Sequence, residues 1–131
     1  MGKQNGGLGS KQLSEVVVRG MQEKKAEDIV VMDLRKINNA IADYFVICSG
    51  TSDTHIDAIA ESVDKEVSQV DGESPWHREG TNNKTWVLLD YVDVVVHIFN
   101  EDKRSFYELE ELWGDAKITR YEEEQYNDLK F

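Results

Sequence analysis

The sequence predicts an α/β domain, a mixed β-sheet flanked by helices. Three observations carry this. Val94 to Phe99, VVVHIF, is apolar on both pleat faces except for one imidazole, His97. Such a strand needs cover on both sides, so it is central in its sheet. Ile56, Ile59, Ala60, Val63, Val67 and Val70 fall at i, i+3, i+4, i+7, i+11 and i+14, the apolar stripe of a long helix. Two further β-branched runs, Ile29–Leu34 and Tyr44–Cys48, precede that helix, so strands and helices share one chain order.

Residues 1–10 are Gly-rich and polar, and they are expected to form a disordered segment. The domain is placed at residues 11–116. Ser10 is a candidate cap for a helix over about Lys11–Lys25, with Leu13, Val17 and Met21 as a narrow stripe. Gly20 and the three valines Val16 to Val18 weaken that helix, so it depends on packing. Ile29–Leu34 is the first strand, Arg35–Ala42 a loop, and Tyr44–Cys48 the second strand. Ser49-Gly50-Thr51-Ser52-Asp53 is a dense set of turn and cap residues. It opens the long helix, about Asp53–Gln69, which Asp71-Gly72 ends.

Glu73–Lys84 is polar and holds the only proline; Trp76 and His77 are placed on a short edge strand there, and Asn82-Asn83 mark a turn. Thr85–Asn100 then reads as two adjacent strands joined at Asp90-Tyr91-Val92-Asp93. Glu101–Trp113 reads as a last helix, with Phe106, Leu109, Leu112 and Trp113 inward and Gly114 as its stop. Residues 117–131 are set apart as an acidic and aromatic tail around Glu122-Glu123-Glu124.

The 131 residues suffice for one core, with 40% hydrophobic and 31% charged residues. No apolar run approaches the roughly 18 residues of a membrane span. The N-terminus has no apolar signal region, and Gly6 stands where a myristoylation pattern has Ser or Thr. Cys48 is the only cysteine, which cannot staple the fold or build a zinc site alone. The expected location is cytoplasmic. Net charge is −11, with Lys3, Lys11, Arg19, Lys24 and Lys25 outweighing Glu15 and Glu23 in the first 25 residues. The remaining body is strongly acidic, which disfavours nucleic acid and suits a basic protein partner or plain solubility.

Several groups are candidates for chemistry. The Ser49–Ser52 turn precedes a helix N-terminus and can offer amides to an anion, but it lacks a Walker lysine and a G-x-G-x-x-G pattern; turn and cap is the plainer reading. Asp90 and Asp93, with Asp33 as a third, are possible metal ligands, though Asp in turns serves the backbone. His97 is a lone histidine on a buried strand, and no Ser or Cys joins His55 or His77 in a recognisable motif. Cys48 reads as a small core residue. Trp86, Tyr91 and Trp76 lie near exposed turns, where aromatics act as interface anchors or pack under a neighbour.

These residues also carry a resemblance. The segments Lys25–Ile29, Ala42–Ser52 and Glu79-Gly80, then Trp86–Tyr91, Asp93–His97, Phe106–Glu110 and Leu112-Trp113, closely resemble the ribosomal silencing factor family, also called Iojap. The match spans roughly residues 12–116 in the same order. The resemblance implies a mixed α/β fold similar to nucleotidyltransferases but without their catalytic motif, no enzyme activity and no cofactor. It implies a homodimer in isolation, and binding to large-subunit ribosomal protein uL-fourteen that blocks small-subunit joining and represses translation when nutrients are short. It implies a partner-binding surface that includes Trp86, Asp90, Tyr91 and Asp93; the acidic charge and the lack of a long apolar run add the expectation of no direct DNA binding and no membrane contact. Val92 departs from the glycine usual there, and a β-branched residue disfavours positive φ. Two alternatives from other classes are a metal-dependent nucleotidyltransferase using Asp90, Asp93 and Asp33, and a dimeric scaffold with no ribosome role.

Overall fold

A computed structural model of the protein describes residues 8–81, 85–103 and 114–121. The elements are α1 (Ser10–Glu23), β1 (Glu27–Asp33), β2 (Tyr44–Gly50), α2 (Asp53–Asp71), β3 (His77–Glu79), β4 (Trp86–Asp90), β5 (Val94–Asn100), a 3₁₀ turn at Glu101–Lys103, and β6 (Lys117–Tyr121). The six strands form one sheet in the order β3-β4-β5-β2-β1-β6. Only β2 and β5 run parallel, in register from Tyr44↔Val94 to Gly50↔Asn100. The other neighbours are antiparallel, so the sheet is mixed. As the VVVHIF run requires, β5 lies inside the sheet between β4 and β2, and Val94–Phe99 are all buried.

Two apolar layers follow. On one face α1 and α2 lay Leu13, Val17, Met21, Ile56, Ile59, Val63 and Val67 against Val46, Cys48, Val87, Leu89, Val96 and Ile98. On the other face Val30, Met32, Leu34, Phe45, Ile47, Val95 and Phe99 form a second cluster, edged by Ile37, Leu88 and Ile118. Val70 is exposed, because the core contacts of α2 stop at Val67. The Ser52 hydroxyl caps α2 by accepting the His55 amide, and Gly72 ends it at φ +73°. Ser10 is itself helical; Gly9 occupies the cap position without a side-chain bond.

Two sequence expectations change. Gly20 is where the helices touch: a Cβ there would lie 2.8 Å from Val63 Cα, and the Ser62 hydroxyl donates to Gly20 O at 2.7 Å. The glycine that weakens α1 locally is what lets α2 approach. The boundary at residue 116 moves, because Lys117–Tyr121 pair with β1 from Asp33↔Lys117 to Ile29↔Tyr121. Five mostly polar edge residues carry little periodic signal, and pairing with β1 is what orders them. Residues 1–7, the turn expected at Asn82-Asn83, the last helix expected beyond Lys103 with its inward residues, and the tail beyond Tyr121 lie outside the described residues.

Gly20→Ala should therefore destabilise the protein although alanine favours helix by about 1 kcal/mol. Overpacking against backbone costs about 1–3 kcal/mol, which leaves a net loss of about 1 kcal/mol. Urea unfolding reads this directly, and a raised midpoint would contradict the tight crossing.

Candidate docking surface

Strand β4 sorts its side chains by pleat. Val87 and Leu89 enter the helical layer, while Trp86 and Leu88 face the other side. Register sets Trp86 opposite Phe99 and Leu88 opposite His97. Trp86 stacks on Phe99, with centroids 5.1 Å apart and planes at 26°, and remains 43% exposed. Its indole Nε1–H donates to His97 Nδ1 at 3.1 Å. The imidazole is buried and meets Phe45 edge-on at 4.7 Å. Burial pushes its pKa down to about 4, so the ring is neutral at ordinary pH.

The corner after β4 is a tight reversal. The Tyr91 amide donates to Val94 O (2.9 Å), and the Asp93 amide donates to Tyr91 O (3.0 Å) across Val92 at φ +77°. That is a γ-turn of the strained, positive-φ kind. The Asp90 carboxylate accepts the Val92 amide at 2.7 Å. The turn thus keeps the conformation glycine would favour, with valine in it. Asp93 O accepts the amides of Asp43 and Tyr44, tying the corner to the start of β2.

Of the four residues expected to face a partner, Trp86 is exposed and Asp90 and Asp93 are half-buried, but Tyr91 is only 2% exposed. Tyr91 belongs to the helical-side core, and burial pushes its phenol pKa up. Pleat alternation explains this: Val87, Leu89 and Tyr91 share parity and point inward together. An outward role for the Tyr91 ring is therefore corrected. Asp33 does not join Asp90 and Asp93 either. Arg35 holds it through Nε (3.0 Å) and a second nitrogen (2.8 Å), which lowers its carboxyl pKa. Among the described residues no three His, Cys, Asp or Glu side chains are grouped to hold a metal.

The structure brings further residues to this surface. Ile41 (75% exposed), Trp76 (77%) and Val92 (53%) line an open cleft of about 390 Å³ with Asp90. The Trp76 amide donates to Asp90 O at 2.7 Å, which carries the β3–β4 pairing up to the corner. Four of the five large apolar side chains left exposed among the described residues, Ile41, Trp76, Trp86 and Val92, thus lie along β4 and its corner. The strand is roughly 15 Å long at about 3.4 Å per residue. Exposed apolar patches of this kind mark interaction sites. Trp76 was visible as an aromatic near a turn. Ile41 sits in a polar loop, and only tertiary placement brings it here.

Other candidates resolve into fold. The Thr51 amide donates to His55 Nδ1 (2.9 Å), the His55 amide to Ser52 Oγ (3.1 Å), and His55 Nε2 bonds Lys24 O (2.7 Å). The Ser49–Ser52 turn therefore works as a helix cap that also staples α2 to the end of α1. Cys48 is fully buried. No helix among the described residues is long and apolar enough to cross a membrane. A larger cleft of about 500 Å³ lies by Asp33, Arg35, Lys36, Asp115 and Lys117, but Arg35 there is paired with Asp33 of the same cleft.

Comparison with known proteins is consistent across sequence and structure. A family model described as "Ribosomal silencing factor during starvation" matches residues 8–130. The ribosomal silencing factor RsfS of Bacillus subtilis is 40% identical over 112 residues, covering 86% of this chain and 93% of that protein. A crystal structure from Chromobacterium violaceum superposes with TM-score 0.74 at 28% identity, covering 82% of this chain and 88% of that one. A crystal structure from Bacillus halodurans gives TM-score 0.69 at 37% identity, covering 86% and 98%.

Two outcomes follow from the site's geometry. Val92→Gly should raise stability by about 1 kcal/mol, since about 1–3 kcal/mol of strain is released against roughly 0.5–1 kcal/mol of added unfolded-state entropy. A lower urea midpoint in that variant would contradict strain at the corner. The second concerns pH. His97 has a folded pKa of about 4 against 6.5 unfolded, so between these values the unfolded state binds a proton that the folded state does not. Its contribution is complete above pH 6.5 and is lost as pH falls toward 4, at about 1.4 kcal/mol per pH unit. Unfolding titrations of His97→Phe should lack this component, and an identical pH profile would refute it.

Proposed function

The chain belongs to the ribosomal silencing factor family, and from that premise we propose that it represses translation by binding ribosomal protein uL-fourteen on the large subunit and so blocking small-subunit joining. The observation that carries this reading is the exposed apolar strip along β4, from Trp86 to the Trp76, Val92 and Ile41 cluster. Large aromatics held in place by a sheet are favourable anchors, because little side-chain freedom remains to be lost on binding. Asp90 and Asp93 flank the strip and are suited to pair with basic groups of a ribosomal protein. Net charge of −11 speeds encounter with a basic partner and discourages adhesion to ribosomal RNA.

Tyr91 enters this reading as support for the corner, not as an anchor. We assign the protein no enzymatic role: Asp90 serves the turn backbone and Asp33 is occupied by Arg35. The same reading places it in the cytoplasm as a homodimer when no ribosome is bound.

Co-sedimentation with purified large subunits tests the proposal. Trp86→Ala and Trp76→Ala should each weaken binding by about 2 kcal/mol, within the range of interface hot spots. Tyr91→Phe, which removes only a buried hydroxyl, should bind like the native protein. If the native protein fails to sediment with large subunits, or both tryptophan variants bind unchanged, the proposal is wrong.

A further inference from the structure

Building on the docking role proposed for Trp86, we infer that His97 is a positioning residue of that surface: it holds the indole by its N–H and fixes which part of the ring a partner meets. The first support is the cost of having an imidazole there. Every other residue from Val94 to Phe99 is apolar, and the strand is buried on both faces. His97 Nε2 has no hydrogen-bond partner among the described residues. With Nδ1 accepting from Trp86, the neutral ring carries its proton on that unpartnered Nε2. A buried polar atom left unmatched needs an explanation outside packing, since an apolar side chain would suit this strand better.

The second support is where the other nitrogen points. Nδ1 accepts the Trp86 indole N–H at 3.1 Å. Phe99 stacks beneath the indole, and the imidazole lies 5.8 Å from it, centroid to centroid. The indole is thus held by two neighbours on the same strand before any partner arrives. Its N–H is turned inward, so the exposed part is π surface and apolar rim without a donor. That surface selects an ammonium, a guanidinium or an aliphatic chain over a hydrogen-bond acceptor. Pre-ordering the ring also removes an ordering cost from binding.

Two substitutions separate positioning from packing. His97→Asn keeps an acceptor oxygen close to the place of Nδ1 but leaves a void. His97→Phe fills the space and has no acceptor. If His97 only packs, phenylalanine is the better replacement in every measurement. If it positions Trp86, phenylalanine is better for stability and asparagine is better for binding. In the free protein, the Trp86 indole ¹⁵N–¹H resonance, assigned with Trp86→Phe, should stay protected from solvent exchange in His97→Asn and become freely exchanging in His97→Phe. Affinity of His97→Phe for purified large subunits should fall roughly tenfold, through faster dissociation.

In a Trp86→Phe background, which has no indole N–H, the His97→Phe change should cost no further affinity. An unshifted Trp86 resonance in His97→Phe overturns the inference, as does unchanged affinity. Should His97→Asn not fold, the cycle of His97→Phe with Trp86→Phe decides alone, and a coupling of zero overturns it. If the native protein does not bind large subunits, the docking reading fails, while the resonance of the free protein still decides whether His97 holds the ring.

Discussion

The parallel pairing of β2 with β5 is the constraint on which the rest of the structure depends. Both strands are buried along almost their whole length, from Tyr44 to Gly50 and from Val94 to Phe99. Neighbours in a parallel pair need a crossover between them, and α2 lies within that connection. Because the pair is apolar on both faces, it calls for a layer on each side. The α1–α2 pair supplies one, and it closes tightly because Gly20 has no side chain to hold the helices apart. Beside β5, antiparallel β4 inherits the same two-sided environment, one strand in from the short edge strand β3. Its odd positions join the helical core, and its even positions meet the second face at a point where solvent still reaches them.

There the proposed docking surface rests directly on the architecture. Trp86 owes its orientation to β5, through Phe99 beneath it and His97 beside it. Asp90 and Asp93 look like a pair of site carboxylates in the sequence, yet both hold the corner together: Asp90 by its side chain, Asp93 by its carbonyl oxygen. The corner then lifts Val92 out beside Trp76 and Ile41. Gly80 allows β3 to return against β4 so closely that a Cβ there would collide with Trp86 O. The exposed strip is therefore a by-product of rigid pairing, with few soft parts.

How much of this was legible depends on the range of the interaction involved. The long helix and the central strand declare themselves locally, one by its 3.6-residue stripe and the other by an unbroken apolar run. The mixed sheet follows from them, as does a cap within Ser49–Asp53, which the structure assigns to Ser52. Lys117–Tyr121 was not legible as a strand, because its order comes from β1, some ninety residues earlier in the chain. Tyr91 lies in a turn-rich stretch that suggests exposure, yet alternation from Val87 and Leu89 points it inward. Ile41 could not be assigned to the site from sequence, since exposure next to Trp76 is a tertiary fact. The corner was legible from its turn residues, and the pleat decides which of its side chains reach solvent.

Val92 joins two properties that pull in opposite directions. Its isopropyl group enlarges the exposed apolar strip, while its backbone sits where a side chain is least welcome. Valine and glycine codons differ by a single base. The smallest genetic step therefore exchanges exposed apolar surface for ease of folding at this one position, without altering any other part of the sheet.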